Sequence, residues 1–516
     1  MISLSQRFCT VIGVFLLASS LSAFAANGTS TFSEAVEAHW TWNLDKAIQL
    51  YSKVLGSDPN NARAYFNRGA AYRTKGEHEK AFADFNQAVQ KDSGLAEAFF
   101  ARGEYHLQRS MFDKALQDFN RTLMINKVYP GVHRVKGEAE LGLGQSQAAL
   151  SDLDIALKSN PDDSDAYFLR GVAHQNLKSL EASLSDFNRA IELNPRNTKA
   201  LFKLGNMLFS QGKTKQALDA YNRVLELDPR NVDALTNRGW ARGGVGDFSG
   251  AIEDLTQSLK LNPKSSLALS NRAQLYTQMN RIDEAVADYS QLLSIKGPDA
   301  GILFARGKLL LDLQKPAEAE TDFTRALQGE PDRPEILEYR ARARLMAKKY
   351  SEAITDLDSI LKIDPADADA LLARARAHEM QSHFNEAIAD YGEAIRLNAE
   401  KAGVEAQYAL AKNLLMNNQL DQAIKQFGKV IEMQPSHGLA WANRGVAWKQ
   451  KGDLASAAED FRKALMYLKE PSRLSMVGRL LENAEAKLNP VAGRTQTRGP
   501  HESASAESFP TESKYW

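Results

Sequence analysis

Apolar and small residues recur along most of the chain at the spacing of helix faces. Tyr65, Arg68, Gly69 and Tyr72 stand at i, i+3, i+4 and i+7, which predicts one face of a first helix. Ala81, Phe85 and Ala88 do the same for a second helix. Proline or a turn residue then closes the pair, as at Pro59, Pro161, Pro195, Pro229, Pro263, Pro365 and Pro435. A proline stops the helix before it because it lacks an N–H and clashes with the preceding turn. The elements predicted are helical hairpins, and the chain reads as all-α.

The hairpin repeats every 34 residues. A small residue stands at Gly69, Gly103, Gly137, Gly171, Gly205, Gly239, Ala273, Gly307, Ala341 and Ala375, then at Ala411 and Gly445 after a two-residue insertion between Glu400 and Val404. Twelve residues after each comes a second small residue, Ala81 in the first of these copies and Ser183 in place of Ala in one. Four further on is an aromatic or Leu, such as Phe85, Phe119, Leu153 or Tyr221. One earlier copy runs through Ala35, Ala47 and Tyr51, which makes thirteen. The small residues let two helices approach closely while the aromatic fills the gap beside them. This pattern resembles the tetratricopeptide repeat family over about Ser30 to Leu468. The resemblance implies an α-solenoid wound into a right-handed superhelix, with the first helices lining its concave side. Ser472 to Leu488 reads as one more amphipathic helix that caps the last repeat.

One departure from the family pattern carries information. The residue before the packing position is basic in ten copies, including Arg68, Arg102, Lys136, Arg170, Arg238 and Arg272. Sixteen residues later the same copies carry an acid: Asp84, Asp118, Asp152, Asp186, Asp254 and Asp288 in these six. Where the base is absent, at Glu34, Leu204 and Leu410, the acid is absent too, at Leu50, Ala220 and Gln426. The concordance predicts structural ion pairs across each hairpin; the competing reading is a charged ladder for ligands.

The ends differ from this array. Residues 1–25 combine Arg7, an apolar run from Phe8 to about Leu21, and small residues at Ala23 and Ala25, the layout of a secretory signal cleaved after Ala25. An uncleaved anchor is the alternative, although Thr10, Gly13, Ser19, Ser20 and Ser22 interrupt a run that is marginal for spanning. The single cysteine, Cys9, lies in that segment without the small residues of a lipidation box, so the mature chain is expected to lack thiols. Residues 490–516 are rich in Pro, Gly, Ser, Thr and Glu and read as a disordered tail. Sixty-four Lys and Arg balance 64 Asp and Glu over 516 residues, which gives no general attraction to nucleic acid or anionic lipid. No membrane insertion is expected after cleavage.

Three strings mimic chemistry. Gly205 to Thr214 resembles a phosphate loop, but its glycines are seven apart and no strand precedes it. His378 and His383 are five apart, so on one helix they would point about 140° from each other. Asp364, Asp367 and Asp369 lie in an inter-repeat turn, where Asp commonly caps the next helix. The sequons at Asn27 and Asn120 are weak signals, the second falling inside a predicted helix. No catalytic residue, cofactor or metal site is expected.

A partner-binding groove remains. Three residues before the packing position runs a ladder that includes Phe66, Phe100, Phe168 and Phe202; one residue after it runs another, with Trp240 and then Lys308, Arg342, Arg376 and Lys412. Phe209 joins the candidate set. Helical spacing puts both ladders on the inner side of the first helix, apolar toward the N-terminal half and basic toward the C-terminal half. The bland readings are aromatics that cover a neighbouring hairpin and cations neutralised by Asp312, Glu338 and Glu379. The resemblance and the leader together imply a non-enzymatic scaffold for proteins or peptide segments in the bacterial periplasm or envelope. Within that compartment, assembly of an envelope or secretion complex is the expected role; the alternative is a carbohydrate-binding or polysaccharide-export accessory protein.

Overall fold

The computed structural model describes residues 30–488. The leader (1–25) and the tail (490–516) lie outside the described residues. Among those described there are 27 helices and no strand. They form two compact units that divide after Asn262. The first holds seven hairpins, from Ser30–Trp40 with Leu44–Ser57 to Val232–Gly244 with Phe248–Leu261. The second holds six, from Ser266–Gln278 with Ile282–Lys296 to Gly438–Lys451 with Leu454–Tyr467, followed by Pro471–Leu488. The fold is an α-solenoid of helix-turn-helix repeats.

Short polar side chains start the first helices. Asn61 accepts from the Ala64 N–H at 3.0 Å, and Asp163, Asn197, Asn231, Ser265 and Asp299 do likewise in their copies. Each such cap satisfies an amide that the helix itself cannot. The turn inside every hairpin passes through one residue with positive φ. Gly76 and Gly212 occupy it at no steric cost, whereas Trp42, Ser110 and Lys178 hold the same left-handed geometry at φ 62°, 57° and 61°.

Close approach of the two helices explains the small residues. A Cβ on Gly69 would lie 2.8 Å from the Phe85 ring, and one on Gly307 would lie 2.5 Å from Phe323. Those rings, with Ala81 and Ala319, are fully buried and form the centre of each hairpin. The insertion after Glu400 appears as a break in Ala399–Met416, where Gly403 leaves the helix at φ 66°. At the end of the array Val477 and Leu480 of Pro471–Leu488 close over Phe461 and Ala464. No helix among the described residues is long and apolar enough to cross a membrane.

Candidate partner-binding face

The ion pairs have one geometry throughout. In all nine arginine copies Nε and one terminal nitrogen donate to the two oxygens of the aspartate, at 2.8 Å each for Arg68 and Asp84 and 2.7 Å each for Arg272 and Asp288. Arg102 with Asp118, Arg170 with Asp186 and Arg238 with Asp254 repeat it. The aspartates are buried, and their hydrogen bonds hold Arg68, Arg170 and Arg272 more firmly protonated than a free guanidinium. The remaining nitrogen reaches back to the preceding second helix: Arg68 donates to Ser52 at 3.0 Å, Arg102 to Asn86 at 3.1 Å and Arg170 to Asp154 at 2.7 Å. In these copies, and in those of Arg238, Arg306, Arg340 and Arg374, the guanidinium ties two successive hairpins together, a contact that sequence reading missed. The signal was present, because a polar side chain lies sixteen positions before eight of the nine arginines, Gly428 before Arg444 being the exception.

Where the pair is absent, other contacts fill the space. Leu204 joins the apolar cluster around Tyr221, and Gln426 hydrogen-bonds Gln407.

Successive first helices approach one another more closely than successive second helices, so within each unit the first helices take the inner side. On that side the predicted phenylalanines are half-buried. Phe66 leans on Phe85 at 6.0 Å between centroids, Phe168 on Phe187 at 6.0 Å and Phe202 on Tyr221 at 6.1 Å. Phe100 meets both Phe119, at 5.9 Å, and Tyr129, at 4.9 Å. Each ring thus packs on the core of its own hairpin and stays partly exposed. Phe209 packs beside Leu208 and Tyr221, and Trp240 is half-buried on Val232–Gly244.

The cationic ladder of the second unit divides. Sequence spacing offered Glu379 to Arg376 on its own helix; instead Glu379 pairs with Lys412 of the next hairpin at 2.6 Å. The cause is register, since the fourth position after one packing residue abuts the first position after the next, as Arg73 with Glu104 at 2.8 Å also shows. Lys308 rests over the rings of Phe304 and Tyr339, 4.8 and 5.8 Å from their centroids. Arg342 and Arg376 are exposed, with Met346 and Met380 exposed one turn on. Burial, then Asp367 and Asp369, raise the Glu338 carboxyl above its usual range beside Arg342.

The strings that mimic chemistry take structural places. Gly205 packs against Tyr221 and Gly212 is a left-handed turn at φ 74°. His383 lies past the end of the helix that carries His378, so the two rings come to 5.8 Å by way of the turn at Ser382 and do not diverge around one helix. Asp367 caps Asp369 and Ala370 at 3.0 Å each, and Asp364 accepts from Ala366. Thr122 of the Asn120 sequon is fully buried and donates to the Asp118 carbonyl. Asn27 lies outside the described residues. Among the described residues no group of three or more His, Cys, Asp or Glu is placed to hold a metal ion.

Family models described as tetratricopeptide repeat match residues 43–96, 134–197, 304–368 and 408–472, 244–300 and 187–219, and one described as TPR repeat matches 205–243. The chain belongs to the tetratricopeptide repeat family. Among solved structures, this tetratricopeptide repeat chain is similar to the APC/C hetero-tetramer Cut9–Hcn1 at 15% identity, covering 87% of this chain and 95% of that one, with a TM-score of 0.34. It is similar to yeast Tom70 at 16% identity over 89% and 96% of the two chains, TM-score 0.30. With PilF of Pseudomonas aeruginosa it shares 18% identity over 42% and 99%, TM-score 0.38. No catalytic family is among the matches, and tetratricopeptide repeats typically serve as non-enzymatic scaffolds that bind other proteins or peptides.

Proposed function

We propose that this protein is an exported scaffold of the bacterial periplasm or envelope that holds partner segments on the inner face of its first helices, in the assembly of an envelope or secretion complex. The observation that carries the reading is a contrast along the repeat. Positions that hold the helices together keep one residue type in copy after copy, Gly or Ala facing an aromatic or Leu, whereas the inner-face positions change: Phe168 and Val172, Phe202 and Asn206, Thr236 and Trp240. Variable side chains on a rigid, repeated frame suit recognition of one extended segment. The partly exposed rings of Phe100, Phe168 and Phe202 supply aromatic anchors of the kind that dominate interface energies. The leader pattern of residues 1–25 supports export.

Affinity capture from envelope extract tests the reading. Because the rings pack against their own hairpins, the variant is Phe100→Leu, Phe168→Leu and Phe202→Leu together; Leu372 already occupies that position in another copy. Loss of captured partners from a folded triple variant is expected. Retention of every partner at wild-type yield would move binding off this face.

A further inference from the structure

The hairpin formed by Val132–Gly142 and Ser146–Ser159 departs from the other charged hairpins. Its base is a lysine, and two side chains divide the work of one guanidinium. Lys136 Nζ donates to one oxygen of Asp152 at 2.6 Å, while His133 Nδ1 meets the other at 2.5 Å. One turn on, Glu140 is only 4% exposed. Its Oε1 lies 3.3 Å from Lys136 Nζ, and its Oε2 is buried with no hydrogen-bond partner. At the same position other copies carry Tyr72, His106, Leu208, Arg242 or Arg344, and the last two donate to their hairpin's aspartate. An acid there is unique to this copy, and it leaves one lysine between two carboxylates.

The backbone of this hairpin is weak as well. Its first helix has 11 residues where those on either side have 13. That helix starts at Gly131, φ 74°, with no side-chain cap, and it ends on Gly142, where a Cβ would strike the Phe112 ring at 2.5 Å.

We propose that this hairpin is a pH-sensitive weak point of the first unit, closed while Glu140 keeps its proton and loosened when the proton leaves. Ionised, Glu140 puts a second buried carboxylate beside Asp152 with Lys136 as their shared cation; protonated, it has no charge to desolvate. Burial first, and the charge of Asp152 second, raise the pKa of Glu140 above the ordinary glutamate range. The folded value therefore exceeds the unfolded one, about 4.3 for glutamate. Stability from this group is full below the unfolded value and is lost as pH rises through the folded one. The charged groups that face it are Lys136 from its own helix and Asp152 from the second, with His133 on the far oxygen of Asp152. The preceding hairpin brings the apolar Phe112 ring to this end, and the following one brings the uncharged Asn176, which donates to Ser146.

The consequence for binding rests on the inner-face reading given above. The hairpin carries Arg134 where its neighbours carry Phe100 and Phe168, so its loosening uncouples two aromatic anchors.

Hydrogen exchange read by mass spectrometry on the full chain tests the proposal without a partner. Between pH 4 and pH 8, after correction for intrinsic rates, peptides from 131–159 should lose more protection than those from 96–125 and 164–193. Glu140→Gln, which keeps the shape and removes the charge, should abolish that excess loss. Glu140→Leu, with the residue found at 208, should do the same. An equal pH response in the three hairpins, or an excess loss that survives both substitutions, would overturn the proposal. Exchange and capture fail separately: a flat exchange profile leaves the inner face intact, and capture by the triple leucine variant leaves the exchange result standing.

Discussion

Removing Arg306 isolates what the repeated ion pair contributes. Its Nε and one terminal nitrogen donate to the two oxygens of Asp322 at 2.7 Å each, and the third nitrogen donates to Ser290 of the preceding hairpin at 2.8 Å. Asp322 is 2% exposed. Arg306→Ala strands that carboxylate in an apolar hairpin, at a cost on the order of 3–5 kcal/mol. Arg306→Leu with Asp322→Ala copies what the chain itself carries at Leu204 and Ala220, and it should cost about 1 kcal/mol or less, because no buried charge is left behind. A repeat array unfolds by neighbouring hairpins more than as one unit, so the assay is native-state hydrogen exchange of amides in 300–329 and not a global melt. The single substitution should reduce protection there by about two to four orders of magnitude, and the double by about one or less. Equal losses in the two variants would show that the arginine acts through packing and its tie to Ser290. Unchanged exchange in Arg306→Ala would refute the idea that the pair holds the hairpin.

Two further outcomes are expected. Gly103→Ala should destabilise its hairpin by about 1–3 kcal/mol, because the new Cβ would lie 2.6 Å from the fully buried Phe119 ring, whereas Gly392→Ala, with nothing within 4 Å, should be neutral or slightly stabilising in urea denaturation. Burial, aided by Arg73, lowers His39 to about 4 beside Tyr51; the folded state then binds fewer protons than the unfolded state, whose histidine titrates near 6.5, so residues 30–57 should lose exchange protection as pH falls from about 6.5 toward 4, and His39→Gln should flatten that loss.

The hairpin was legible because its constraints are local and repeated. A glycine opposite an aromatic sixteen residues on is a steric pair, and its recurrence at 34-residue intervals separates it from chance. The base and acid were legible for the same reason, since each covaries with the other inside one chain. What escaped were contacts between hairpins. The return bond from Arg68 to Ser52 and the pairing of Glu379 with Lys412 depend on how one hairpin lies on the next, which no single-helix spacing encodes. The Phe ladder follows from helical register, but its packing role needed coordinates: Phe100 is wedged between Phe119 and Tyr129. Glu140 stood in the sequence as one more variable residue, and only its burial and its unpartnered oxygen distinguish it.

The central claim, that first-helix aromatics grip a partner segment, is tested most directly by a binding isotherm. A segment identified by capture is labelled and titrated by fluorescence anisotropy with the wild-type chain and with the variant carrying leucine at 100, 168 and 202. Three lost aromatic anchors at about 1 kcal/mol or more each predict a Kd weaker by about 100-fold or more, with exchange protection of the array retained. An isotherm that does not move, measured on a triple variant shown to be folded, would contradict the claim.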